Sequence, residues 1–216
     1  MAEYELVVFD WDGTLMDSMS KIVTCARDAF AELNYNMPAS KEIQGCIGLG
    51  LDEIWQRLCP DSNEDGKQAF VDVYRKHWLS WTGPESRLYD GVAEVLEQLK
   101  RNDYYVAIAT GKSRVGLDKD LANTGIGHFF DATRCADEAR SKPHPEMLEY
   151  LLDYFAVDPK RTLMIGDTSF DLEMAQGANT HALAVTYGAH DVGRLEPWRP
   201  KGMIGDVREL VGYLGK

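Results

Sequence analysis

The sequence predicts an α/β fold: a parallel sheet core interrupted after its first strand by a block of helices. Three observations carry this. Beyond residue 84, short apolar runs alternate with segments of helical period, the pattern of strands joined by helical crossovers and covered on both faces. The run Leu6-Val7-Val8-Phe9 reads as a buried strand, yet the chain after it is helical for a long stretch before the alternation begins. Three of the apolar runs also end on polar residues suited to chemistry: Leu6–Phe9 at Asp10, Val106–Ala109 at Thr110, and Leu163–Gly166 at Asp167.

After the first strand, Ile22, Ala26, Ala29, Phe30 and Leu33 recur at helical spacing, and Asp52-Glu53 opens a short helix through Leu58. Asn63 is placed to cap a helix in which Phe70, Val73, Tyr74, His77 and Trp78 share a side. Thr82-Gly83-Pro84 reads as a linker. Then come an amphipathic helix over Gly91 to Asn102, a strand over Tyr104 to Ala109, a helix over Ser113 to Asn123 stopped by Gly125, and an extended segment over Phe129 to Cys135. A helix from Pro145 to Phe155, a strand from Thr162 to Ile165, a helix from Ser169 to Gln176 ended by Gly177, and an extended run from His181 to Tyr187 complete the pattern. The expected division is a core of residues 1–15 and 84–216, with residues 16–83 forming a helical unit inserted into it.

Composition narrows the function. A net charge of −12 and a pI of 4.8 over 216 residues argue against general binding to nucleic acid or anionic membranes. No apolar stretch approaches the length of a membrane span, and the acidic N-terminus lacks a signal-peptide pattern, so a cytoplasmic location is expected. Cys25, Cys46, Cys59 and Cys135 have no metal-site spacing and read as free thiols; the five histidines read as structural or surface residues. Oligomeric state leaves no mark on the sequence.

In an open parallel sheet, ligands bind outside the carboxyl ends of the strands, so Asp10, Thr110 and Asp167 are expected to converge. Asp12 lies two residues beyond Asp10, and Asp171, early in the next helix, can reach the same place. Lys142, before Pro143-His144-Pro145, is the candidate cation. Anions this close repel, so a proton or a cation must sit among them; a hard, oxygen-loving ion such as Mg²⁺ suits such a set. The lysine, the threonine hydroxyl and the backbone amides after Thr110 suit a phosphate. A metal, a phosphate cradle and a carboxylate nucleophile together point to phosphoryl transfer through an aspartyl-phosphate. Each residue also has a structural reading: Asp10 and Asp12 as a turn at a strand end, Thr110 as a helix N-cap, Asp167 and Asp171 as a cap and a first-turn acid.

Four motifs occur in order: Asp10-x-Asp12-Gly13-Thr14, Thr110-Gly111, Lys142-Pro143, and Gly166-Asp167-x-x-x-Asp171. In this the chain resembles the haloacid dehalogenase (HAD) superfamily, specifically phosphoglycolate-phosphatase-like members with a helical C1-type cap inserted after the first strand. The resemblance implies a Rossmann-like core and Mg²⁺-dependent hydrolysis of a small phosphomonoester. It also implies roles. Asp10 attacks phosphorus, and Asp12 serves as acid and then base. Thr110, Gly111 and Lys142 hold the phosphoryl group. The metal lies at Asp10, Asp167 and the Asp12 backbone carbonyl, with Asp171 in support. The tail Val185-Thr186-Tyr187-Gly188-Ala189-His190 departs from the tryptophan-containing pattern of the phosphoglycolate group, which leaves the substrate open between a phosphoglycolate-like ester and a sugar phosphate. The glycine-rich stretch from Gly45 to Leu51 stands where cap-bearing members carry their specificity loop, so Gly48, Leu49 and Gly50 are candidate contacts to the leaving group, with linkers near Met16–Ser18 and Thr82–Glu85 as hinges. A β-phosphoglucomutase-like mutase is the alternative, and a non-catalytic phosphate-binding regulator a more distant one.

Overall fold

Leu6–Phe9 forms the first strand, β1, and all four of its side chains are buried. The computed structural model describes residues 3–214. After β1 come the short strand β2 (Met16–Asp17) and four helices, α1 (Met19–Glu32), α2 (Ser40–Gln44), α3 (Leu51–Leu58) and α4 (Glu64–Leu79). The chain then runs through β3 (Arg87–Leu88), α5 (Val92–Arg101), β4 (Tyr105–Thr110), α6 (Arg114–Thr124), β5 (Ala132–Cys135), α7 (Glu146–Phe155) and β6 (Thr162–Gly166). It finishes with α8 (Ser169–Gly177), β7 (His181–Val185), α9 (Val192–Leu195), β8 (Met203–Ile204) and α10 (Glu209–Tyr213).

Six strands form one parallel sheet in the order β5-β4-β1-β6-β7-β8. Alternation along the central strand shows why it is apolar throughout. Val7 and Phe9 face a cluster with Val95, Leu96 and Leu99 of α5, whereas Leu6 and Val8 face Met147, Leu148 and Leu151 of α7 and Met174 of α8. In this order the connections from β1 run outward through β4 to β5, and the chain then crosses back to β6 on the other side. That reversal beside β1 is where parallel sheets open a crevice for ligands.

The helices between β1 and β3 have their own apolar cluster. Phe30, Trp55 and Phe70 stack with ring centroids 5.1 to 5.8 Å apart, and Tyr74 and Trp78 extend the series along α4. Asn63 caps α4 by accepting a hydrogen bond from the Gly66 amide at 3.0 Å. Where the chain leaves and re-enters the sheet portion, β2 and β3 pair antiparallel, Met16 opposite Leu88 and Asp17 opposite Arg87.

Several elements differ from the sequence expectation. Gly127–Phe129 closes as a 3₁₀ turn, so the strand before Cys135 begins at Ala132 and not at Phe129. The run expected to extend to Tyr187 pairs only as far as Val185. The two-residue strands β2, β3 and β8 carry no sequence signal. Among the described residues, no helix is long and apolar enough to cross a membrane, and all four cysteines are free.

Candidate active site

The ladder between β1 and β6 runs one residue past β1: the Asp10 amide donates to the Ile165 carbonyl at 2.9 Å. This places Asp10 beside Asp167 at the carboxyl edge of the sheet. The chain then turns sharply, with the amides of Leu15 and Met16 both donating to the Trp11 carbonyl at 2.9 Å and Gly13 in the left-handed region at φ +85°. A side chain at Gly13 would be strained there and would also collide with the Asp167 carboxylate. The turn lets the Thr14 hydroxyl donate to Asp167 Oδ1 at 2.8 Å, while the Ala189 amide donates to Oδ2 at 2.7 Å.

Lys142 is completely buried between two carboxylates, 2.7 Å from Asp10 Oδ1 and 2.7 Å from Asp171 Oδ1. Asp171 also closes the N-terminus of α8, where its Oδ2 accepts the Thr168 amide and hydroxyl at 3.0 and 2.7 Å. It is thus both a capping acid and a partner of the buried lysine. Asp10 Oδ1 also accepts the Trp11 amide at 2.6 Å; Oδ2 is buried and, among the described residues, has no hydrogen-bond donor.

Carboxylate oxygens of Asp10, Asp167 and Asp171 lie within 4.8 Å of one another, all buried. One ammonium among three carboxylates leaves an excess of negative charge in a space shielded from water. Burial and this charge imbalance shift Asp10, Asp167 and Lys142. Burial pushes the Asp10 carboxyl up; Lys142 pulls against this, and Asp171 and Asp167 reinforce it. Burial and the neighbouring Asp171 raise Asp167 to about 7. Burial alone would lower Lys142, but Asp10 and Asp171 hold it above the ordinary lysine range. An all-oxygen donor set, an orphaned buried carboxylate oxygen and uncompensated negative charge fit a hard divalent cation.

The Asp12 carboxylate turns away from this group. Its Oδ1 accepts the Ser18 hydroxyl at 2.6 Å and lies 3.1 Å from the Lys112 ammonium. Only the backbone carbonyl of Asp12 remains for the metal role that the sequence resemblance implies. Lys112 is 3.3 Å from Asp120 as well, and Asp120 accepts the Trp11 indole at 3.1 Å. The Lys112 ammonium also stands 4.2 Å from the centre of the Trp78 ring of α4. Thr110, at the end of β4, is buried and accepts the Lys112 amide at 3.1 Å; the N-cap of α6 is Ser113.

Asp10, Asp12, Thr110, Gly111 and Lys112 form one wall of a cavity of about 390 Å³. Ile22, Ile47, Leu49, Ile54, Tyr74 and Trp78 from the helical insert form much of the facing wall. Lys142, Asp167 and Asp171 are not on the cavity surface but stand behind Asp10. Of the loop between α2 and α3, Gly48 and Leu49 line the cavity, while Gly50 instead donates its amide to Ser141 Oγ at 2.8 Å. The loop comes so close that a side chain on Gly111 would strike the Gly48 and Leu49 carbonyls.

The insert is seated on the sheet portion by further contacts. His190 Nδ1 accepts the Ser169 amide at 2.9 Å, so the ring proton sits on Nε2, 3.3 Å from the Gly45 carbonyl. Burial and then Arg194 lower this histidine to about 4, keeping it neutral. The Arg57 guanidinium lies 4.7 Å over the Phe170 ring, and Arg75 reaches the cavity; by sequence alone both read as solvated faces. Lys112 and Ser18 are candidate site residues that the sequence does not single out, and Thr14 is marked there only as a motif position without a role. The available signals are adjacency to Thr110-Gly111 for Lys112 and place in the turn motif for Thr14; for Ser18, six residues beyond Asp12, there is none.

Comparison with known proteins agrees with this architecture. The profile of the family described as haloacid dehalogenase-like hydrolase matches residues 7–185. A protein of Dickeya dadantii named "Probable phosphatase IndB" is 33% identical over 211 residues, covering 96% of this chain and 92% of its own length. The phosphoglycolate phosphatase of Nitrosococcus oceani is 27% identical over 218 residues, covering 98% of this chain and 97% of its own. A haloacid dehalogenase-like family hydrolase from Streptococcus pneumoniae superposes with a TM-score of 0.85 at 27% identity, covering 99% of each chain. With its helical insert after β1 and its buried aspartate group at the sheet edge, the chain belongs to the haloacid dehalogenase-like hydrolases and has phosphatase relatives along nearly its whole length.

Proposed function

We propose that this protein is a Mg²⁺-dependent phosphomonoester hydrolase that works through an aspartyl-phosphate on Asp10. The observation that carries the reading is the contrast between two carboxylates on one cavity wall. Asp10 has a buried oxygen with no donor, ready for phosphorus or a cation. Asp12 is held by Ser18 and Lys112 beside the cavity, apart from the metal-type cluster.

In the first half-reaction an Asp10 oxygen attacks phosphorus, the bond to the ester oxygen breaks, and Asp12 gives its proton to the departing alcohol. In the second, water attacks the phosphoryl group, Asp12 takes a proton from that water, and the acyl-phosphate bond breaks to regenerate Asp10 and release inorganic phosphate. Thr110 and the amides of Gly111 and Lys112 face the phosphoryl oxygens, and Lys142 fixes the Asp10 carboxylate from behind. Asp10, Asp167 and the Asp12 carbonyl, supported by Asp171, would hold a divalent cation, whose positive charge would let an anionic ester approach an acidic site. Residues 16–83 act as the cap, with Gly48 and Leu49 reaching the leaving group and the β2–β3 pair marking the hinge. Closure of that cap excludes bulk water.

The test is inorganic phosphate release from a panel of phosphomonoesters, with Mg²⁺ and with a chelator, by the wild type and Asp10→Asn. Metal-dependent release lost in Asp10→Asn supports the reading; release that survives the substitution contradicts it.

A further inference from the structure

The cavity over Asp10 is of a kind that a small dianionic substrate does not need. At about 390 Å³ it is in the range that encloses ligands of drug-like size, well beyond a two-carbon leaving group. Apart from Tyr74 and Arg75, the side chains that the insert contributes are apolar, among them Ile22, Ile47, Leu49, Leu51, Ile54 and Leu79. The charged groups are placed unhelpfully for a second anion near phosphorus. The Lys112 ammonium is engaged by Asp12 and Asp120 and lies against Trp78. Arg75 and Lys119 are exposed, and the exposed Asp137 also borders the cavity. A carboxylate or second phosphate attached one or two carbons from the ester oxygen would be pressed against aliphatic walls, losing its hydration without a paired cation. An uncharged hydrocarbon body in the same place would bury apolar surface on both sides.

We infer that the leaving group is a neutral alcohol with an apolar ring- or chain-sized body, not a short diacid or a pyrophosphate. This rests on the hydrolase reading above and names the substrate class of that site. Polar substituents on such a substrate would meet Arg75, Lys119 and Asp137, exposed residues that border the cavity. The energetic basis of selection is the apolar wall, since the phosphoryl contacts are common to all esters.

The experiment compares kcat/KM for benzyl phosphate and for 2-phosphoglycolate with Mg²⁺ present; neither has an activated leaving group, so the ratio reports the pocket. The expected ratio favours benzyl phosphate by at least about tenfold. Leu51→Lys, at a partly buried position of the apolar wall, and Leu79→Lys, at its exposed border, should move the ratio toward phosphoglycolate, the first by at least about fivefold and the second by less, with circular dichroism confirming that both variants fold. Efficient phosphate release with phosphoglycolate equal or preferred would overturn the inference while leaving the hydrolase reading intact, as would an unchanged ratio in the folded variants. No release from either ester, or from any of the wider panel, would remove the hydrolase reading and this inference with it.

Discussion

The Lys112 ammonium lies 3.1 Å from Asp12 Oδ1 and 3.3 Å from Asp120 Oδ2, joining the candidate acid–base to a carboxylate on α6. Burial alone would depress this lysine, yet the two aspartates hold it above the ordinary lysine range. With Trp78 against the same ammonium, one side chain links the β1 turn, the sheet portion and the helical insert.

Removing that charge leaves two largely buried carboxylates facing each other without a counter-ion. Lys112→Met is therefore expected to cost about 3 kcal/mol of stability, the usual penalty for breaking a buried pair from one side. Asp120→Asn should cost less, because Lys112 keeps Asp12. Urea unfolding of both variants measures the difference. The kcat of Lys112→Met should fall more on alkyl phosphates than on p-nitrophenyl phosphate, whose leaving group needs no proton from Asp12.

Function and stability should part at Asp10. An asparagine there can keep its carbonyl toward the Trp11 amide and Lys142 while placing its amino group where the orphaned oxygen stood. Asp10→Asn is expected to abolish turnover by more than about a thousandfold. In chelator it should unfold about 1–2 kcal/mol later than wild type, because one member of a mutually repelling buried cluster is gone. Added Mg²⁺ should stabilise the wild type more than the variant, a comparison that thermal melts with and without metal can make.

Gly111 tests the seating of the insert. Its missing side chain makes room for the carbonyls of Gly48 and Leu49, which are backbone atoms and cannot swing aside. Gly111→Ala should push the loop off the cavity, reducing kcat/KM by about tenfold or more with the far-ultraviolet spectrum unchanged. Wild-type kinetics in Gly111→Ala would show that the loop does not need to close this tightly.

Two thiols set an alkaline limit. Burial raises Cys25 to about 11 and Cys135 to about 12, whereas an unfolded chain releases these protons near pH 8.5. Between that pH and the folded values the unfolded state binds fewer protons, so stability must fall as pH rises, by at most about 1.4 kcal/mol per pH unit per thiol. Below that window both states are protonated and the thiols add no slope. Cys135→Ala should flatten the decline expected in urea titrations above pH 9.

Much of the architecture was legible because burial on both faces leaves continuous apolar runs, as in Val106–Ala109 and Leu163–Ile165, and because helices announce themselves with caps such as Asn63 and stops such as Gly125. The convergence of Asp10, Thr110 and Asp167 followed from their places at strand ends. What escaped depends on contacts distant in sequence. Met16 pairs with Leu88 and Asp12 with Lys112, and neither residue alone carries a mark of its partner. A lysine after a strand reads as solvent-facing until the sheet order puts β4 beside β1. Gly48 and Gly50 look equivalent in a glycine-rich loop, yet one lines the cavity and the other donates to Ser141.

In the proposed mechanism the phosphoryl group passes through Asp10. The most direct measurement is rapid acid quench of Asp12→Asn during turnover of p-nitrophenyl phosphate, followed by intact-mass and peptide mass analysis. That leaving group departs without an acid, and loss of the base should stall the second step. Enzyme carrying one phosphoryl group, labile to hydroxylamine and located on Asp10, should accumulate. Steady turnover with no phosphorylated enzyme at any quench time, or the group on another residue, would contradict the mechanism.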